Sequence, residues 1–273
     1  MPTMENSAVT AALVDEAASR LLEAMHTNAP CAPVRELIGD DDVHVAYAVQ
    51  QVLTAARVEL GSKVVGRKIG LTSKAVQEQL GVDQPDFGIL FDDMAYVAGD
   101  TIPFDAVLQP KVEAEIAFVL AEDLIVGPLT LEQVRGAVDY AVAALEICGS
   151  RIQNWDISFG DTVADNASAG AYVLGHERRR LEDFEPHEVE MLMTVTGQED
   201  STGTGAACLG DPLLALQWLA VQAREFGAPL LAGQVVLSGA LGPMRPVGSG
   251  AVAVARISGL GSVSIRFSDA QEA

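Results

Sequence analysis

The sequence predicts an α+β fold, with a β-rich core behind a helical N-terminal segment. Three observations lead there. After about residue 63, short β-branched or alternating runs outnumber helical stretches. Those runs do not alternate regularly with helices, as a doubly wound sheet would require. Hydrophobic residues make up 49% of the 273-residue chain and aromatics only 5%, so the core must be mostly aliphatic.

Taken in order, residues 8–25 carry Val9, Leu13, Ala17, Leu21 and Ala24 at helical spacing. The segment "NAPCAP" breaks that pattern. A second helix is expected to open at the acidic run Asp40–Asp42 and to stop at Gly61. This gives a helical region over 1–62 and a catalytic, β-rich domain over 63–273. Within the latter, "KVVGRKIGL", "AYVAGDTI", "AEIAFVLAEDL", "AVAALEIC", "GAYVLG", "VEMLMTVTG", "GQVVLSGAL" and "VAVARISGLGSVSIRF" read as strands bounded by Gly, Pro or Asp. A helix is expected near Leu131–Tyr140. Another is announced by the cap Asp211 and by Pro212 at its first position, and it ends at Gly227.

The formal charge of −21 repels nucleic acid and anionic lipid, which excludes both as partners. An anionic substrate would then need a local cation: a metal, Lys or Arg. Cys31, Cys148 and Cys208 are odd in number, widely spaced and free of any CxxC, as expected of reduced thiols in a cytoplasmic protein. No signal peptide is visible and no apolar run is long enough to span a membrane.

Chemistry is concentrated in "PKVEAEIAFVL", residues 110–120. On a strand, Lys111, Glu113 and Glu115 share one face, and Val112, Ala114 and Ile116 the other. Two carboxylates so close repel unless a proton or cation lies between them. Glu146 adds a third acid, inside the apolar run "AVAALEIC". Mg²⁺ or Mn²⁺, which take oxygen ligands, would account for all three. The alternatives are a solvent-facing pair on a one-sided sheet, or pairing with Lys111. Spacing alone does not make the two strands neighbours.

Residues 66–94 hold Arg67 and Lys68 between glycines, then "VDQPDFG" with Asp83 and Asp86 around a proline turn. A lysine there can hold a substrate carboxylate, and a loop acid beside it can form an acid–base pair. Asp83 reads as a turn residue. The polar stretch 150–175 is long for a connection and offers Asn166 and Ser168 as hydrogen-bond donors. "GTGAACLGDP" lacks the phosphate-loop pattern, and Ser201 and Ser238 lie in no nucleophile motif. The four histidines sit in polar or helical contexts, as surface residues do.

The blocks "GRKIGLTSKAVQEQLGVDQPDFGILFDDM", "QPKVEAEIAFVL", "ALEICGSRIQNWDISFGDTVADNASAGAYVLG" and "VVLSGALGPMRPV" resemble the hydratase/decarboxylase branch of the fumarylacetoacetate hydrolase superfamily, and within it the 2-hydroxypenta-2,4-dienoate hydratases. The resemblance runs from about residue 60 to 267. It implies a mixed β-roll core after a small helical region, and a divalent ion on Glu113, Glu115 and Glu146. It implies Lys68 and Asp86 as catalytic residues, with Ser168, Arg67 and Leu80 on the substrate side. The implied reaction hydrates a small anionic 2-hydroxydienoate from aromatic meta-cleavage to 4-hydroxy-2-oxopentanoate. A homo-oligomer, pentameric or decameric, is implied too, as is association with a pathway decarboxylase. Competing readings are the sister 2-oxo-3-hexenedioate (4-oxalocrotonate) decarboxylase, an acylpyruvate C–C hydrolase, a non-catalytic partner of such a decarboxylase, and a generic sugar or lipid binder. The C–C hydrolases tend to use a His–Glu pair, and no His lies near the acidic blocks.

Overall fold

The computed structural model describes residues 4–74, 77–78 and 82–270, with residues 4–9 described by backbone alone. The N-terminal region folds into α1 (Met4–Thr27), the short α2 (Arg35–Ile38) and α3 (Val43–Glu59). Asp42 caps α3 by accepting from the backbone N of Val45 at 3.1 Å, and Gly61 beyond its end takes a left-handed φ of 105°. Helical spacing turns Val14, Ala17, Ala18 and Leu21 of α1, and Ala46, Tyr47, Val49 and Leu53 of α3, into the main apolar core.

Seven strands form the larger sheet in the order β2 (Asp86–Phe91), β1 (Val64–Gly70), β10 (Val235–Ala240), β5 (Lys111–Leu120), β6 (Val138–Cys148), β7 (Ala169–Leu174), β3 (Ala95–Val97). A two-residue strand, β11 (Arg245–Pro246), adds to β5. The sheet is mixed: β1 runs parallel to β10 and β3 to β7, while the other pairs are antiparallel. A smaller sheet runs β4 (Thr101–Ile102), β13 (Gly261–Phe267), β12 (Val252–Ile257), β8 (Glu190–Val195), β9 (Ser201–Thr204). The remaining helices are α4 (Leu131–Gly136), α5 (Phe159–Ala164) and α6 (Pro212–Glu225). Asp211 caps α6 at 2.8 Å from the backbone N of Leu213.

Strand alternation separates two environments. Val112, Ala114, Ile116 and Phe118 of β5, with Ala143, Leu145 and Ile147 of β6, join the main core with the helices and the smaller sheet. On the other face Ala117, Val142, Ala144, Tyr172 and Leu237 belong to a separate, smaller cluster. That second face carries the acids.

Four expectations need correction. The helix expected over Leu131–Tyr140 ends at Gly136, and β6 starts at Val138, because Val138 and Tyr140 extend the ladder opposite Leu120 and Val119. "AYVAGDTI" is not one strand: a turn through Gly99, at φ 90°, sends β3 and β4 into different sheets. The polar stretch 150–175 is not a plain loop leading into the strand expected at "GAYVLG", which is β7, since it also holds α5. Asp86 does not sit in a proline turn. It opens β2, a strand buried along its whole length, and only the exposed Asp83 lies in the turn.

Candidate active site

The pairing of β5 with β6 sets Glu113 directly opposite Glu146, with Glu115 two residues along the same face. Glu115 and Glu146 are buried and Glu113 is partly accessible, so the cluster is approached from the Glu113 side. Single ligand atoms of Glu113, Glu146 and Cys148 lie within 4.8 Å of one another. Glu115 is outside that set. Its Oε2 accepts from the backbone N of Gly239 at 2.7 Å, where the chain turns at φ 112°. A side chain at 239 would also collide with Thr72, so glycine fits the position.

β1 brings the cation. Lys68 faces the acids, and its Nζ lies 3.1 Å from Glu146 Oε1 and donates to the carbonyl of Ala167 at 2.8 Å. That carbonyl is presented by Asn166, Ala167 and Ser168, three consecutive residues with φ between 51° and 55°. Non-glycine residues adopt this left-handed conformation at a cost of about 1–2 kcal/mol each, a strain typical of functional sites. Asp86 lies opposite Gly70 on β1, on the same face as Lys68. Thr162 Oγ1 stands 3.5 Å from Asp86 Oδ2 and 3.3 Å from Ser168 Oγ, so Ser168 joins the site through Thr162.

Four carboxyl groups thus surround one ammonium, and their electrostatics show the strain. Burial, then the charge of Glu146, pushes Glu113 up to about 7. Glu115 is raised well above the usual carboxylate range by burial and by Glu146 and Glu113. Burial raises Asp86 to about 6 against the pull of Lys68. Burial opposes the charge on Lys68, but Glu146, Cys148, Asp86 and Glu113 outweigh it and hold the ammonium well above its ordinary value. Among the described residues, Glu115 Oε1, Glu146 Oε2 and Asp86 Oδ1 are buried with no partner, and Glu146 Oε1 meets only the ammonium of Lys68. Unpaired buried oxygens cost free energy unless a cation or proton satisfies them. Glu113, Glu115 and Glu146 together offer three carboxylates on one face, a donor chemistry that fits a hard divalent ion, although of the three only Glu113 and Glu146 fall within the 4.8 Å group.

A pH dependence follows. Carboxyls with raised folded pKa values bind protons more tightly folded than unfolded. Without metal, the protein therefore gains stability as pH falls from about 8 towards 5 and loses it as pH rises through about 7. A divalent cation replaces those protons, so added Mg²⁺ should raise the melting temperature most near pH 8 and little near pH 5. Thermal unfolding with and without Mg²⁺ checks this. A Mg²⁺ effect of equal size at both pH values would contradict it.

The remaining expected site residues fall elsewhere. Arg67 precedes Lys68 on β1 and so points to the opposite face: it pairs with Ile89, whereas Lys68 pairs with Gly88. Leu80 lies outside the described residues. Asn166 spends its side chain on Ile89, accepting from its N at 2.7 Å and donating to its O at 3.0 Å. His26, His44 and His176 are exposed and His187 is half-buried, none of them in the acid cluster.

The model of the family described as "Fumarylacetoacetate (FAA) hydrolase C-terminal" matches residues 57–268. The chain belongs to the fumarylacetoacetate hydrolase family. One family relative, the "TodF product hydratase" of Pseudomonas putida strain F1, is 54% identical over 257 residues, covering 94% of this chain and 96% of that protein. The 2-keto-4-pentenoate hydratase of Paraburkholderia xenovorans LB400 is 52% identical over the same shares. Among solved structures, the 4-oxalocrotonate decarboxylase from Pseudomonas putida G7, complexed with magnesium and adipate, superposes with a TM-score of 0.89 at 31% identity, covering 98% of this chain and all of that one (100%). No helix among the described residues is long and apolar enough to cross a membrane.

Sequence reasoning missed several residues that shape this family member's site. Thr162 links Asp86 to Ser168. Arg151 clamps the strained turn: its guanidinium reaches Asp165 and donates to the carbonyl of Ala169 at 2.8 Å. Gly70 is another, since a Cβ there would lie 2.2 Å from Asp86 Oδ1 and 3.3 Å from Lys68 Nζ. Asp86 is buried and has nowhere to retreat. Gly70→Ala should therefore lower turnover by about a hundredfold, the scale of an ångström's misplacement, with metal affinity unchanged. Steady-state rates and a Mn²⁺ titration of the variant check this; an unchanged rate would show that Asp86 tolerates the shift.

Proposed function

We infer that the chain is a metal-dependent hydratase that adds water to 2-hydroxypenta-2,4-dienoate (2-oxopent-4-enoate) and releases 4-hydroxy-2-oxopentanoate. The observation that carries this reading is the single sheet face shared by Glu113, Glu115, Glu146, Lys68 and Asp86. The hydratase relatives at 54% and 52% identity support the choice of reaction. Glu113, Glu115 and Glu146 would hold the ion, with Mg²⁺ and Mn²⁺ both suited to oxygen donors. When bound, such an ion polarises the substrate's 2-oxygen and carboxylate and stabilises developing enolate charge.

The chain's own residues supply the rest. In a protein of net charge −21, the ammonium of Lys68, held by Ala167 and Glu146, makes the site hospitable to an anion. Ketonisation of the dienol moves the hydroxyl proton off oxygen and places a proton on C5, giving 2-oxopent-3-enoate. Water oxygen then bonds C4 and a proton bonds C3, while Asp86 takes the proton that water loses. A base at about 6 is ionised near neutrality yet close enough in pKa to exchange protons efficiently. Thr162 and Ser168 form a line of hydroxyls leading from that base.

The test is a spectrophotometric assay of dienol disappearance with and without chelator. Turnover should stop on chelation and return with Mg²⁺ or Mn²⁺; turnover indifferent to chelator would overturn the reading. A second reading, decarboxylation of 2-oxo-3-hexenedioate, is favoured by the 0.89 TM-score to a 4-oxalocrotonate decarboxylase. Offering both substrates and measuring CO₂ release separates the two. The hydratase reading includes a homo-oligomer, pentamer or decamer, and a partnership with a pathway decarboxylase, for which mass-resolved size exclusion is the check.

A further inference from the structure

The acid face holds one metal-ligating side chain that the carboxylate triad does not use. Cys148 ends β6 two residues after Glu146, so the two share a face. The pair formed by Glu113 and Glu146 is therefore flanked on one side by this thiol, opposite Lys111, and on the other by Glu115, opposite Ala144. Cys148 is buried, forms no disulfide, and donates its thiol hydrogen to Glu113 Oε2 at 3.7 Å. Glu146 gives Oε1 to Lys68 and leaves Oε2 buried without a partner. Among the described residues, Glu113, Glu146 and Cys148 are the one group of three His, Cys, Asp or Glu side chains whose ligand atoms all lie within 4.8 Å of one another.

Bond lengths indicate what this group can hold. Zinc binds sulfur at about 2.3 Å and carboxylate oxygen at about 2.1 Å, and at a tetrahedral angle two such ligands stand about 3.6 Å apart. Cys148 Sγ and Glu113 Oε2 already stand 3.7 Å apart. Glu146 supplies the third donor, and the partly accessible Glu113 side leaves the fourth position to water. One sulfur with two oxygens is a softer set than three oxygens, and it favours zinc-class ions over Mg²⁺.

We propose that Cys148, Glu113 and Glu146 form a second cation subsite, which takes a zinc-class divalent ion in place of the hard ion of the acid triad. The ion bonds Sγ as the thiol S–H bond breaks, and the proton passes to water. The subsite shares Glu113 and Glu146 with the triad and replaces Glu115 by sulfur, so zinc held this way withdraws two of the three carboxylates from the hard ion. The inference rests on the acid face being a cation site, as the hydratase reading has it.

Co²⁺ is the probe, because it accepts the same ligands as zinc and, unlike zinc, absorbs light. Added to chelator-treated protein, it should give a near-ultraviolet sulfur-to-metal charge-transfer band. Cys148→Ser and Cys148→Ala should lose that band and bind Co²⁺ at least about tenfold more weakly, the least that losing even a residue supporting a ligand costs. Glu115→Gln, whose side chain lies outside the subsite, should keep the band. Circular dichroism establishes that each variant is folded. Calorimetric binding of Co²⁺ without a band, a band that persists in both Cys148 variants, or a band lost in folded Glu115→Gln would each overturn the proposal and leave the hydratase reading standing. Failure of the parent to bind any divalent ion would overturn both.

Discussion

Glu113→Gln should abolish metal-dependent turnover while the metal-free protein melts at a higher temperature than the parent. The two effects have one cause. Glu113 faces Glu146 across β5 and β6, and burial with that neighbour raises its carboxyl to about 7. Gln keeps the shape and removes one of four crowded acids, so it relieves repulsion when no cation is present. The same change removes a ligand charge, and loss of Lewis-acid stabilisation worth several kcal/mol corresponds to at least roughly a thousandfold in rate. A residue that merely supported the fold would lower the melting temperature instead. Rates with saturating Mg²⁺, together with thermal unfolding in chelator, decide between the two. Retention of the parental rate would remove Glu113 from the site.

Asp86→Asn is the second substitution of large expected effect. Asn is isosteric and cannot accept the proton from water, so kcat should fall by about 10²–10⁴, the usual contribution of a positioned base. Asp86 stands on β2 beside Lys68 and Thr162, whereas the expected ligands Glu113, Glu115 and Glu146 lie on β5 and β6. Metal affinity should therefore stay close to that of the parent. Steady-state kinetics alongside a Mn²⁺ titration separate this outcome from a general disturbance, in which KM and metal affinity would change together.

What could be read from the sequence is the part governed by local rules. Period-two alternation put Glu113 and Glu115 on one face of β5 and Val112, Ala114 and Ile116 on the other, as found. The acidic run Asp40–Asp42 and the cap at Asp211 marked the starts of α3 and α6, and Asp42 proves to be the residue that caps α3. Pairing was not legible, because the register that sets Glu113 against Glu146 joins residues 33 apart in sequence and depends on the whole sheet. Asp86 misled because Pro85 and Gly88 carry turn signals, whereas the strand between them is held by pairing with β1. Arg67 was grouped with Lys68 by adjacency, although neighbours on a strand face opposite ways. Thr162 and Arg151 gave no signal, since their roles come from a folded stretch that composition alone presents as a loop.

The most direct measurement is anomalous diffraction from crystals grown with Mn²⁺. The account predicts one strong peak on the acid face, with oxygens of Glu113, Glu115 and Glu146 at about 2.1–2.2 Å, a distance set by hard divalent ions and carboxylate oxygen. A peak elsewhere, or none on that face while the crystallised enzyme still turns over dienoate, would contradict it.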